Sequence, residues 1–236
     1  MLSKLPIYYI QRFVILLMSA SVVAAGVFTF GNAELFDRIF LGVLIALIVY
    51  FHDDKNLASV FAVIALGRIF EEVLWLIPSI EYVSKILIYS VSFIAFYMLR
   101  YDTLGKAAIF VLICICGAEL YWYLTAYSKH PNVSWFVLLI LQDVVIRHLL
   151  FMRPVVFKKW APYMSSLPLD LQLYNVYAIF FVVNCAMIFE YFLRHLFLVN
   201  SLIIFDLSPY INQFIASVML WFILNYSIKR TSLFNA

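Results

Sequence analysis

Residues 105–127 read GKAAIFVLICICGAELYWYLTAY, with Lys106 and Glu119 as the only charged side chains. Such a segment has no polar face to offer water. A helix satisfies its own backbone hydrogen bonds, and about 20 residues rising 1.5 Å each cross the roughly 30 Å hydrocarbon layer. The stretch therefore reads as a membrane-spanning helix. Working outward, apolar runs of similar length occur at 10–30, 35–51, 57–77, 82–99, 133–152, 173–198 and 208–228. Short polar breaks separate them: Gly31-Asn32, the five residues from His52 to Asn56, Pro78-Ser79, Arg100-Tyr101-Asp102, and the five from Ser128 to Asn132. The expected fold is an all-α integral membrane protein, a single polytopic domain over 1–236 with about eight transmembrane helices.

Composition agrees. Of 236 residues, 66% are hydrophobic and 12% charged, against about 45–50% and about 25% in soluble domains. The net charge of +3 is small and its Lys and Arg residues are scattered, so no basic stripe for nucleic acid exists. Lys4 and Arg12 precede an apolar run with small residues at Ala20, Ala24 and Ala25, as in a signal peptide. The run from Phe13 to Phe30 is long enough to span, and an uncleaved first helix is expected. Cys114, Cys116 and Cys185 fall inside apolar runs and read as small core residues rather than disulfide partners or metal ligands.

Charge sets the expected orientation. With eight spans and an inner N-terminus, the cytoplasmic side carries Lys4, Arg12, Lys55, Arg100, Lys106, Arg153, Lys158, Lys159, Lys229 and Arg230. The other side carries Arg38, Lys85 and Lys129. This imbalance favours both termini in the cytoplasm of a bacterial-type inner membrane. The one long connection, 153–172, holds Lys158, Lys159, Trp160 and three prolines, and reads as a cytoplasmic interfacial loop. The short apolar stretch Leu202-Ile203-Ile204-Phe205 reads as a separate interfacial piece before Pro209. No GxxxG pair supports close helix crossing.

Ionisable groups at membrane depth carry the functional signal, because each must be partnered or costs several kcal/mol. They are Arg68, Glu71 and Glu72; Glu119; Asp143 and Arg147; Glu190 and Arg194. Three pairs are spaced i, i+4 (Arg68–Glu72, Asp143–Arg147, Glu190–Arg194), so each is expected to neutralise itself on one helix face. Asp143 to His148 and Glu190 to His195 share a pattern of acid, three apolar or aromatic residues, Arg and His, a weak hint of an inverted repeat. Five carboxylates face three arginines. Glu119 has no charged neighbour in its helix and Glu71 is the other surplus acid, so Glu119 is the expected exchanging carboxylate.

The expected function is movement of an ion, proton or small polar solute along Glu119, Glu71, Glu72, Asp143 and Glu190, with Arg68, Arg147, Arg194, His148 and His195 as charge partners. A second reading is an accessory or structural membrane subunit that transports nothing, its ion pairs specifying packing. A third is an intramembrane enzyme, although Glu71-Glu72 has its arginine upstream at Arg68, and neither HExxH nor GxSxG occurs. His52, His130, His148 and His195 fall two per side, as a di-haem carrier requires, but two of them lie at loop edges. No cofactor or metal is expected. Expected partners are the lipid bilayer, a transported ion or proton, and a second copy or a partner membrane protein.

Overall fold

The computed structural model describes residues 32–75, 82–127, 133–159, 161–197 and 202–234, with the single positions 13, 17, 20, 26, 29 and 199. The expected first span therefore lies almost wholly outside the described residues, as do 76–81 and 128–132 with Lys129 and His130. All regular structure among the described residues is helical: α1 (Ala33–Tyr50), α2 (Lys55–Trp75), α3 (Tyr82–Met98), α4 (Thr103–Leu124), α5 (Ser134–Val156), a 3₁₀ turn (Phe157–Lys159), α6 (Pro168–Leu196) and α7 (Ile203–Phe234). These correspond to the second through eighth expected spans.

Four segments are long and apolar enough to cross a membrane: Thr103–Leu124, Ser134–Lys159, Pro168–Leu196 and Ile203–Arg230. The apolar part of α3, Ser84–Met98, is shorter. These are the helices of a membrane protein. Side-chain placement agrees, since it inverts the soluble pattern. Arg153, Arg68 and Asp143 are buried, while Phe110, Ile113, Leu124, Phe189, Phe214 and Trp221 face outward.

Helix starts follow local chemistry. Asn32 Oδ1 accepts the Leu35 N–H at 3.1 Å, and Asp102 Oδ1 accepts that of Leu104 at 3.3 Å, each covering a donor that a helix N-terminus leaves open. Pro168 occupies the first turn of α6, where its missing N–H is harmless. Asp170 Oδ2 accepts the Leu167 N–H at 2.7 Å. This start replaces much of the expected 153–172 loop with helix on both sides. Arg153 and Asp170, expected at an interface, are buried. Lys158, Lys159, Pro162 and Tyr163 remain exposed.

The stretch 202–205 is likewise not a separate piece, because α7 already runs from Ile203. Pro209 inside that helix removes the donor owed to the Phe205 carbonyl. Ser208 Oγ supplies a replacement at 2.8 Å, so the helix continues.

The α5–α6 hairpin is the centre of the bundle. One apolar core joins α1, α2 and α7 to it through Phe40, Phe61, Ile146, Tyr177 and Met219. A second joins α3 and α4 through Phe96, Leu112, Trp122, Ile140 and Ile188. Two glycines permit close approaches without GxxxG. A Cβ on Gly67 would meet Ile146 Cγ1 at 3.1 Å and Tyr177 Oη at 3.3 Å, and one on Gly105 would collide with the Leu99 carbonyl. The three cysteines are free, as expected, but they are not core residues: Cys116 is exposed, and Cys114 and Cys185 are only half-buried.

Candidate functional site: an acidic cavity around Arg68

A cavity of about 450 Å³ opens between α1, α2, α5, α6 and α7. Helical periodicity assembles its wall. On α5, Trp135, Phe136, Leu139, Gln142 and Asp143 recur at three- and four-residue steps and share one stripe. On α6 the same rule brings Tyr177, Phe180, Asn184 and Met187 inward. Arg68 and Glu71 come from α2, Asp37 from α1, and Phe205, Ser208 and Asn212 from α7. The result is a wall that mixes apolar and polar side chains, with only charged ones from α1 and α2.

Arg68 sits at the polar end, 6% exposed. Its Nη1 donates to Asp37 Oδ1 at 3.1 Å and to Glu71 Oε2 at 2.9 Å. Its guanidinium lies 5.1 Å from the Phe40 ring centre and 5.4 Å from that of Phe180, favourable cation–π geometry in a dry setting. Its Nε is buried without a hydrogen-bond partner. Asp143, 5% exposed, accepts from Asn184 Nδ2 at 2.7 Å. Among the described residues no cation reaches Asp143 within ion-pair distance. Beside it, the buried Gln142 amide oxygen also lacks a partner. Three carboxyl groups thus border a cavity served by one guanidinium.

The expected i, i+4 pairs do not form among the described residues, because other partners win, on neighbouring helices and, for Arg68, also at i+3 on its own. Arg68 takes Asp37 and Glu71, and Glu72 lies 3.7 Å from Arg38. Arg147 pairs with Asp102 and stacks 3.6 Å over the Tyr174 ring centre. Glu190 accepts the N–H groups of Ile204 at 3.0 Å and Phe205 at 2.7 Å, holding the start of α7, an arrangement the helix dipole favours. Arg194 is exposed and borders a smaller pocket of about 180 Å³ with Glu190 and Tyr191. The two similar acid-Arg-His stretches are therefore used differently.

Glu119 is the main correction. It accepts from Lys85 Nζ at 3.1 Å and Tyr89 Oη at 3.0 Å and is no part of the cavity wall. Lys85, read from the sequence as an external charge, lies within α3 and is 12% exposed. Glu71 is not surplus either, being bonded to Arg68. His195 hydrogen-bonds Tyr127 Oη at 3.0 Å and packs 4.3 Å from the Tyr191 ring centre. His148 is half-buried outside the cavity.

Sequence reasoning missed Asp37, Gln142, Arg153 and Asp170. Asp37 stands near a span end, where an acid ordinarily signals solvent. Arg153 is fully buried and donates to Asp170 at 2.9 and 2.7 Å, to Asn56 O and Oδ1 at 2.9 and 2.7 Å, to Ser59 Oγ at 2.8 Å and to Ser165 O at 2.9 Å. The Pro168-x-Asp170 helix start was the available signal for its partner. Asp102 also escaped notice. Burial raises its carboxyl, but the hydrogen bond and charge of Arg147, the Leu104 N–H and the Thr103 hydroxyl outweigh burial and hold it below its ordinary value. No group of three His, Cys, Asp or Glu side chains among the described residues is placed to hold a metal ion. No protein-family model, curated protein or solved structure matches this chain.

Proposed function

We propose that this chain is a multi-pass membrane protein that moves an ion, proton or small polar solute through the cavity around Arg68. In this reading eight helices span a bacterial-type inner membrane and both termini face the cytoplasm. The observation that carries it is Asp143, a buried carboxyl on a cavity wall with no cation in ion-pair reach. A carboxyl so placed either holds a proton or takes a mobile counter-charge. The pathway is Asp37, Arg68, Glu71, Asp143 and Asn184. Glu119, Glu72 and Glu190 take structural roles.

The accessory-subunit reading is favoured by a different observation. Outside the cavity the charged groups are tied to the protein itself, most completely at Arg153. One experiment separates the two. With Cys114, Cys116 and Cys185 replaced by Ala, Leu139→Cys should react with a small hydrophilic thiol reagent in intact membranes. Tyr163→Cys, on an exposed loop, serves as the reactive control. Failure of Leu139→Cys to react from either membrane face, while the control reacts, leaves a dry interior and favours the accessory subunit.

A further inference from the structure

Resting on that reading, we propose that the solute is an organic ammonium: a protonated amine on an apolar body, carried with its nitrogen at Asp143. Charge decides the sign. Arg68 already shares its charge between Asp37 and Glu71, so an incoming anion meets three acidic side chains against one guanidinium engaged by two of them. A cation finds Asp143, whose only hydrogen-bond donor among the described residues is the Asn184 amide. Gln142, 8% exposed, borders the cavity beside Asp143, and its buried amide oxygen has no hydrogen-bond partner among the described residues.

Geometry excludes the simplest cation. Among the described residues the carboxylates do not cluster as metal ligands. A cavity of about 450 Å³ also falls in the range of small-molecule sites, roughly 300–1,000 Å³. Its apolar wall, built on Trp135, Phe136, Leu139 and Phe205, suits a hydrocarbon or aromatic body and offers little to a bare hydrated ion. An ammonium group donates its strongest hydrogen bonds to a carboxylate.

The test uses the full chain in membranes and three probes of one shape: phenethylamine, 2-phenylethanol and 3-phenylpropanoate. The readout is the modification rate of Leu139→Cys in the cysteine-replaced background. Phenethylamine at ten times its dissociation constant should slow modification about tenfold, by simple occupancy. The alcohol and the carboxylate should not protect at the same concentration. Asp143→Asn in that background should weaken protection by at least roughly tenfold, each protein being compared with its own unprotected rate, while Tyr163→Cys in the same variant still reacts, which shows that the protein is inserted and folded. Equal protection by the alcohol, undiminished protection in Asp143→Asn, or no protection by the amine overturns the ammonium assignment. In each of those outcomes a reactive Leu139→Cys leaves the solute pathway standing. An unreactive Leu139→Cys removes both.

Discussion

At the residue scale, two arginines show opposite uses of the same chemistry. Arg153 donates from all three nitrogens to oxygen acceptors and has nothing left to offer a ligand. Arg68 keeps its Nε unbonded beside a cavity. A buried ion pair broken by removing one partner costs about 3–5 kcal/mol, because the other charge stays desolvated. Arg153→Met should therefore strand Asp170 and lower the unfolding free energy in detergent by about that amount, measured by denaturant titration. A change below about 1 kcal/mol would mean the network adds little beyond packing. Glu119→Gln belongs to the same class of structural contact. It should leave the reaction rate of Leu139→Cys unchanged, since Glu119 binds Lys85 and Tyr89 away from the cavity.

At the element scale, side chains that hold helix ends are drawn from distant sequence. Glu190 of α6 holds the N-terminus of α7, and Asp102 both starts α4 and pairs with Arg147 of α5. The second contact predicts a pH dependence. The folded Asp102 carboxyl lies below its ordinary value, so the unfolded chain takes up its proton first. Its contribution is complete above the ordinary carboxylate value of about 4 and is lost as pH falls through the lower folded value. Asp102→Asn should destabilise by about 1.5–3 kcal/mol near pH 7, the worth of charged hydrogen bonds. The gap to the parent should close as pH falls through that lower folded value. A gap independent of pH would assign the loss to helix capping instead.

At the scale of the whole molecule, α5 and α6 form a hairpin that separates two apolar cores, and the cavity lies on the side of α1, α2 and α7. The face toward α3 and α4 closes on Trp122, Ile140 and Ile188, with the Glu119–Lys85 ion pair bridging those two helices. Orientation in the bilayer belongs to this scale, because it depends on basic residues summed over all the connections. Under the proposed topology the loop around Tyr163 is cytoplasmic. Tyr163→Cys should thus be labelled by an impermeant reagent in inside-out vesicles and spared in intact cells. Labelling in intact cells would invert the orientation.

The periodic runs of apolar residues were enough to identify an all-helical chain with spanning-grade helices, because insertion depends on composition summed over one segment. The presence of charges at depth was equally legible, at Arg68, Glu71, Asp143 and Arg147. Their partners were not. Side chains i and i+4 on one helix are neighbours whatever the fold, and that local rule suggested Asp143 with Arg147. Packing of α5 against α4 and α6 instead set Arg147 on Asp102 and Asp143 on Asn184. Only the tertiary structure decides such choices, because a guanidinium long enough to reach its own helix also reaches the next, and the bundle determines which carboxylate stands closer.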